Sequence, residues 1–132
     1  MSLAVLIPTF RRNDSLARAL RSVFAQTRTP DEIIIADNDP AGGAEAIVAL
    51  LRADAPCPLV YVHAPEPGVA NARNAGFAST RALRIAQLDD DESASPGWLA
   101  ALELVRMETR AQVVFGPVRP EPDPGAASAL AA

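Results

Sequence analysis

The chain contains no lysine: all 12 of its basic residues are arginine. Any chemistry that needs a lysine amine is therefore excluded from these residues. Cys57 is the single cysteine, so no intrachain disulfide can form. It stands between Pro56 and Pro58 and reads as incidental rather than as a nucleophile. His63 is the single histidine, which excludes a histidine-rich metal site within one chain. A serine–histidine–aspartate triad would have to use His63, and no GxSxG elbow accompanies it. Two phosphate-binding motifs are also missing, since no GxGxxG follows a strand pattern and no GxxxxGK[ST] occurs. Phosphates would have to be met by arginine and a divalent cation. No apolar run approaches the length of a membrane span. Leu3 to Ile7 has no basic region before it and no cleavage site after it, so it reads as a buried strand rather than a signal peptide. A cytoplasmic protein is expected, with attachment to the inner face of the cell membrane through other parts left open. The net charge of −4 argues against a nucleic-acid partner.

What is present suits one domain. The length of 132 residues, 49% hydrophobic and 21% charged, allows one sizeable core. Apolar runs alternate with helical spacings. Strands are expected at Leu3–Ile7, closed by Pro8, and at Glu32–Ala36, Leu59–Val62, Leu83–Leu88 and Val113–Phe115. Helices are expected around Leu16, Leu20, Val23 and Phe24, around Ile47, Leu50 and Leu51, over Ala70–Thr80, and around Leu99, Leu102 and Val105. Asn13 or Asp14 can cap the first, and Ser95-Pro96 can start the last. This alternation predicts an α/β fold with a mostly parallel sheet and helices on both faces. From Arg119 the chain is rich in Pro and Ala without periodicity. The division expected is a domain over 1–118 and a poorly ordered or truncated tail over 119–132.

The run Asp89-Asp90-Asp91-Glu92 directly follows the fourth strand pattern. Acids this close repel one another. A cation that takes oxygen ligands relieves the repulsion; a solvated acidic turn before a helix is the alternative. Pro8-Thr9 follows the first strand and Asp37-Asn38-Asp39 the second. In a parallel sheet these ends share one edge, where ligands bind. Asp37 can accept hydrogen bonds from a base or ribose, or simply form a turn. Arg73 can bind an anion or a base carbonyl, or be a solvated helix arginine.

Five segments, in order, resemble the family 2 glycosyltransferases. They are Ile7-Pro8-Thr9-Phe10 with Ser22-Val23-Phe24-Ala25-Gln26-Thr27, then Glu32 to Asn38, then Pro67 to Gly76, then Leu88 to Glu92 followed by Pro96-Gly97-Trp98-Leu99, and last Phe115-Gly116-Pro117-Val118. The last is similar to the subset that makes bacterial surface polysaccharides. Each motif is short; their order along one chain, from about Leu3 to Arg119, carries the resemblance. It implies a GT-A fold and inverting transfer of a sugar from a nucleotide diphosphate donor, expected to be a UDP-sugar, to a saccharide or lipid-linked saccharide acceptor. It also implies positions. Pro8, Thr9 and Asp37 should hold the nucleoside, Arg73 the base, and Asp89 or Asp90 the ribose. Asp91 should hold Mn2+ or Mg2+ on the diphosphate, whose developing charge a hard cation stabilises.

Family members are usually much longer and carry the general base in their second half. No candidate base follows Phe115, since Glu121 and Asp123 sit in the tail without a scaffold. The chain is expected to be mainly the donor-binding half, with self-association through uncovered apolar surface. Two other readings compete. One is a nucleotide-sugar binding module without catalysis. The other is a receiver-like signalling domain, which would need acids after the first strand and a lysine late in the chain.

Overall fold

The computed structural model of the protein describes residues 2–121. The first two strand segments are apolar at successive positions, as suits strands covered on both faces. Strand β1 (Leu3–Thr9) is buried at every residue. It lies between β2 (Glu32–Asp37) and β4 (Arg84–Gln87), and β3 (Leu59–His63) pairs with the outer side of β2. All pairings are parallel, and the order is β3-β2-β1-β4. The helices are α1 (Asn13–Phe24), α2 (Glu45–Leu51), α3 (Val69–Ala78) and α4 (Trp98–Thr109), and a 3-10 turn (Arg52–Asp54) extends α2.

Side chains alternate between faces along a strand. Leu3, Val5, Ile7, Ile33 and Ile35 pack with Leu16, Leu20 and Val23 of α1, Val48 and Leu51 of α2, and Leu99 of α4. Ala4, Leu6, Ile34 and Ala36 face the other way and pack with Ala72 and Ala75 of α3. The split follows from handedness. The connections through α1 and α2 step the chain outward on one side of β1, and the α3 connection carries it back to the other side. Right-handed crossovers in opposite directions put their helices on opposite faces. The chain therefore reverses direction between β1 and β4, and that switch point opens a crevice at the carboxyl ends of those strands.

Three local expectations are corrected. Pro8 does not close β1 but lies within it, opposite Ala36. Leu6 O accepts a bond from Leu88 N on the β4 side. Pro8, two residues on, turns its missing N–H to that same side, beyond the last residue of β4, so no ladder bond is lost. Asn13 and Asp14 do not cap α1: Arg12 is the N-cap and makes no side-chain cap bond, and Asn13 Nδ2 donates to Gly43 O. Val113–Phe115 forms no strand. Among the described residues no strand pairs with it, and β propensity alone does not make a ladder; Phe115 is 91% exposed. The Pro- and Ala-rich stretch lies, from residue 122 on, outside the described residues.

The α4 helix begins at Trp98, just after the expected Ser95-Pro96, with Gly97 as an N-cap that makes no side-chain bond. Gln26 supplies what the cap does not. Its Oε1 accepts Leu99 N at 3.0 Å, and its Nε2 donates to Ser95 O at 2.6 Å. Ser22 Oγ accepts Ala94 N at 3.0 Å, and Thr27 N donates to Pro96 O at 2.9 Å. The end of α1 thus pins the loop that follows the acidic run.

The close seat of α3 depends on Gly76. A Cβ there would overlap Leu6 Cδ1 and come within 3.1 Å of Leu6 Cδ2, and Leu6 is fully buried. Gly76→Ala should therefore destabilise the fold by about 1–3 kcal/mol through overpacking, less up to about 1 kcal/mol of helix propensity regained. A lower urea midpoint with unchanged slope is the expected result; a raised midpoint would show that the helix shifts without cost.

Candidate donor-binding site

The crevice at the switch point has a volume of about 470 Å³. Pro8, Thr9, Phe10 and Arg12 from the exit of β1 form one wall. Asn38 follows β2, Val69, Ala72 and Arg73 belong to α3, and Asp89, Asp90 and Asp91 follow β4. A second depression, of about 440 Å³, lies at the amino ends of the strands. Its polar groups already hold those ends in place. Asp31 accepts Leu3 N at 2.8 Å, and Glu32 accepts the hydroxyl of Thr80.

The four acids divide their tasks. Asp90 turns inward and is 7% exposed. It accepts the Thr9 hydroxyl at 3.0 Å, Phe10 N at 3.4 Å and Arg12 Nη1 at 3.4 Å. Glu92 folds back so that Oε1 accepts Asp89 N at 2.9 Å. Asp89 and Asp91 are left outward, their side chains about half exposed. Each carries an arginine: Arg73 Nη2 on Asp89 at 3.1 Å and Arg12 Nη1 on Asp91 at 3.2 Å. In the protein alone, arginines answer the repulsion that the run creates.

Two of the expected contacts lie differently. Asp37 is fully buried and does not line the crevice. Its Oδ1 accepts Asp39 N at 3.0 Å; its Oδ2 accepts Ala44 N at 3.0 Å and the Tyr61 hydroxyl at 2.7 Å. It shapes the loop after β2 instead. Thr9 is also nearly buried, with its hydroxyl donated to Asp90. Pro8, Arg73, Asp89, Asp90 and Asp91 line the crevice as expected in position. Arg12 was not expected to line it; Asn38 was placed at this edge among the groups after β2, but given no role. Asn38 takes the place Asp37 was given: its Nδ2 donates to Ala64 O and Glu66 O, and its Oδ1 accepts Gly68 N at 3.2 Å. Gly68 has φ +118°, a left-handed value that lets the chain turn there into α3. Nothing in the spacing of Arg12 marks it, because its partners are 78 and 79 residues away.

Neighbouring groups tune two protons. The Ala41 amide, with Arg11 beside it, holds Asp39 below the ordinary carboxylate range against the opposing effect of desolvation. Burial, reinforced by the bond to Asp37, raises the Tyr61 phenol well above its ordinary value.

The sequence matches the family model described as glycosyl transferase family 2 over residues 4–128. The chain belongs to glycosyl transferase family 2. Among this family's relatives, succinoglycan biosynthesis protein ExoM of Rhizobium meliloti (strain 1021) is 40% identical over 114 residues, 84% of this chain and 37% of that protein. Galactofuranosyltransferase GlfT1 of Mycobacterium tuberculosis (strain ATCC 25618 / H37Rv) is 39% identical over 61 residues, 46% of this chain and 19% of that one. The fold matches S. aureus TarS with a TM-score of 0.73 at 19% identity, over 92% of this chain and 23% of that one. TarS 1-349 in complex with UDP matches with a TM-score of 0.67 at 18% identity, over 92% of this chain and 38% of that one. These structural likenesses establish a shared fold. The chain spans less than two fifths of the length of the curated relatives it matches. Among the described residues no helix is long and apolar enough to cross a membrane.

Two outcomes follow from the Asp37 network. Asp37→Ala leaves two backbone amides and one phenol without their acceptor, and should cost about 2–5 kcal/mol of stability, read by urea denaturation. A loss below about 0.5 kcal/mol would show that the loop after β2 does not depend on this carboxylate. The second outcome is pH dependence. Tyr61 has a raised folded value, so its contribution is complete below the unfolded value of about 10 and falls as pH rises above it, because the unfolded chain ionises first. Tyr61 is the only tyrosine, so an absorbance titration of phenolate reports it alone. A folded midpoint at or below about 10 would contradict this.

Proposed function

We propose that this chain is the donor-binding part of a metal-dependent, inverting glycosyltransferase. The donor is a nucleotide diphosphate sugar, with a UDP-sugar favoured. The acceptor is a saccharide or lipid-linked saccharide in bacterial surface polysaccharide synthesis. Family membership, and relatives whose names include succinoglycan biosynthesis and galactofuranosyltransferase, support the reaction class and setting. A fold neighbour in complex with UDP supports the donor.

The observation that carries the reading is an arginine and carboxylates brought together in one crevice from α3 and the exit of β4. Arg73 lines it with a partly exposed side chain, and its Nη2 lies 3.1 Å from Asp89. A solvent-exposed pair of this kind is weak, so the guanidinium can turn to a ligand acceptor. A base carbonyl is an acceptor of the right kind, and the rigid guanidinium fork orients it. Asp89, outward beside Arg73, then meets the ribose hydroxyls. Pro8 and Thr9 form the floor under the nucleoside. Asp37 acts from beneath, by holding the loop that brings Asn38 to the wall.

The residues also fit a divalent cation. Asp91 offers a hard oxygen ligand with its side chain 58% exposed. Among the described residues no group of three or more His, Cys, Asp or Glu side chains forms a ready cage. Mn2+ or Mg2+ held by Asp91 would take its remaining ligands from diphosphate and water, and would stabilise charge on the leaving diphosphate. Among the described residues, Glu121 is exposed and reaches no part of the crevice, while Asp123 lies outside them. The base for the acceptor hydroxyl is therefore left unassigned.

Calorimetric titration of UDP in Mn2+, in Mg2+ and in chelator tests the reading. Affinity should rise with either metal, and Asp91→Ala should remove that rise. Arg73→Ala should weaken UDP by about tenfold or more in every condition, the scale of a hydrogen bond from a charged group. Equal UDP affinity in chelator and in Mn2+ would end the metal assignment. UDP binding unaffected by Arg73→Ala would end the base assignment.

A further inference from the structure

The side chain of Arg12 sits between two carboxylates, with Nη1 3.4 Å from Asp90 Oδ1 and 3.2 Å from Asp91 Oδ2. Asp90 is committed to the fold through Thr9 and Phe10. Among the described residues Asp91 pairs with Arg12, and both side chains are more than half exposed. An ion pair this wet is weak and breaks readily. The backbone of Arg12 is fixed, however. It is the N-cap of α1, and its carbonyl accepts Leu16 N at 2.8 Å and the Ser15 hydroxyl at 3.3 Å. The residue before it, Arg11, holds φ at +53° and pairs with Asp39 at 3.2 Å, so the turn is tied on that side as well. The result is a charged arm on a rigid pivot, placed over the carboxylate proposed for the cation.

We propose that Arg12 is an exchangeable counter-ion of the donor site. It neutralises Asp91 while no cation is present. It yields Asp91 when a divalent cation enters, and its guanidinium then takes up an oxygen pair on the donor's diphosphate, for which its planar fork is suited. This rests on the donor reading above. It makes Arg12 a competitor of the metal and a partner of the diphosphate, two effects of opposite sign on binding.

That opposition separates the idea from a structural role. The test uses the full chain as wild type, Arg12→Gln and Arg12→Lys, with melting temperature recorded for each. Free Mn2+ binding without nucleotide is read by electron paramagnetic resonance. UDP binding at saturating Mn2+ is read by calorimetry. Arg12→Gln should bind free Mn2+ about 2- to 5-fold more tightly, the scale of a wet ion pair removed. It should bind UDP about tenfold or more weakly, the scale of a lost charged hydrogen bond. Arg12→Lys should restore wild-type Mn2+ affinity and part of the UDP affinity. If both affinities fall together with the melting temperature, Arg12 is a structural brace and the proposal is wrong. If neither affinity changes while wild-type UDP binding responds to Mn2+, the proposal fails and the donor reading stands. Wild-type protein that binds no UDP at any Mn2+ level overturns the donor reading and this inference with it.

Discussion

The carboxylate of Asp90 joins two strand ends that stand 81 residues apart, by accepting the hydroxyl of Thr9. A buried charge is costly unless its oxygens are satisfied. Here a hydroxyl, a backbone amide and a guanidinium satisfy them. The exits of β1 and β4 are thereby held in one fixed relation, and the geometry of the crevice depends on it. Because Asp90 turns in, its neighbours on either side turn out. A run of like charges becomes one inward anchor and two outward carboxylates. Glu92 reinforces the turn by accepting the Asp89 amide. The same stretch that reads as an electrostatic problem in sequence becomes, in the fold, a device for aiming Asp89 and Asp91.

A second set of bonds supports the first. Gln26 and Ser22, at the end of α1, hold the amides and carbonyls of residues 94 to 99. The loop after the acidic run therefore cannot swing away from α1. The segment Ser22 to Thr27 entered the family resemblance without any chemical role. Its place in the structure gives it one: it secures the loop that the acidic turn opens into. Placement of Asp91 is thus controlled from both sides, by Asp90 before it and by Gln26 beyond it.

The sheet and its helices were legible because their signals are local and periodic. Strand β1 and the isoleucines of β2 are apolar on both faces, and only burial between two helix layers explains that pattern. The family assignment was legible from the order of short motifs. The failures share another cause, namely distance in sequence. Asp37 stood at a strand exit as a binding residue would, but its oxygens answer to Tyr61 and Ala44, and no local pattern announces that. Arg12 enters the crevice through partners 78 and 79 residues away. Val113 to Phe115 had strand-like residues but no partner strand among the described residues. Pro8 looked like a terminator because its missing amide was judged without knowing which side of β1 it faced.

One more consequence follows from the seat of α3 on Leu6. Arg73 lies one helical turn before Gly76, on the helix that the absent side chain of Gly76 allows to settle against β1. The reach of Arg73 to Asp89 is therefore gauged by a thickness measured beneath the sheet rather than inside the crevice. A change in that packing layer would therefore move Arg73 relative to Asp89 without altering any residue that lines the crevice.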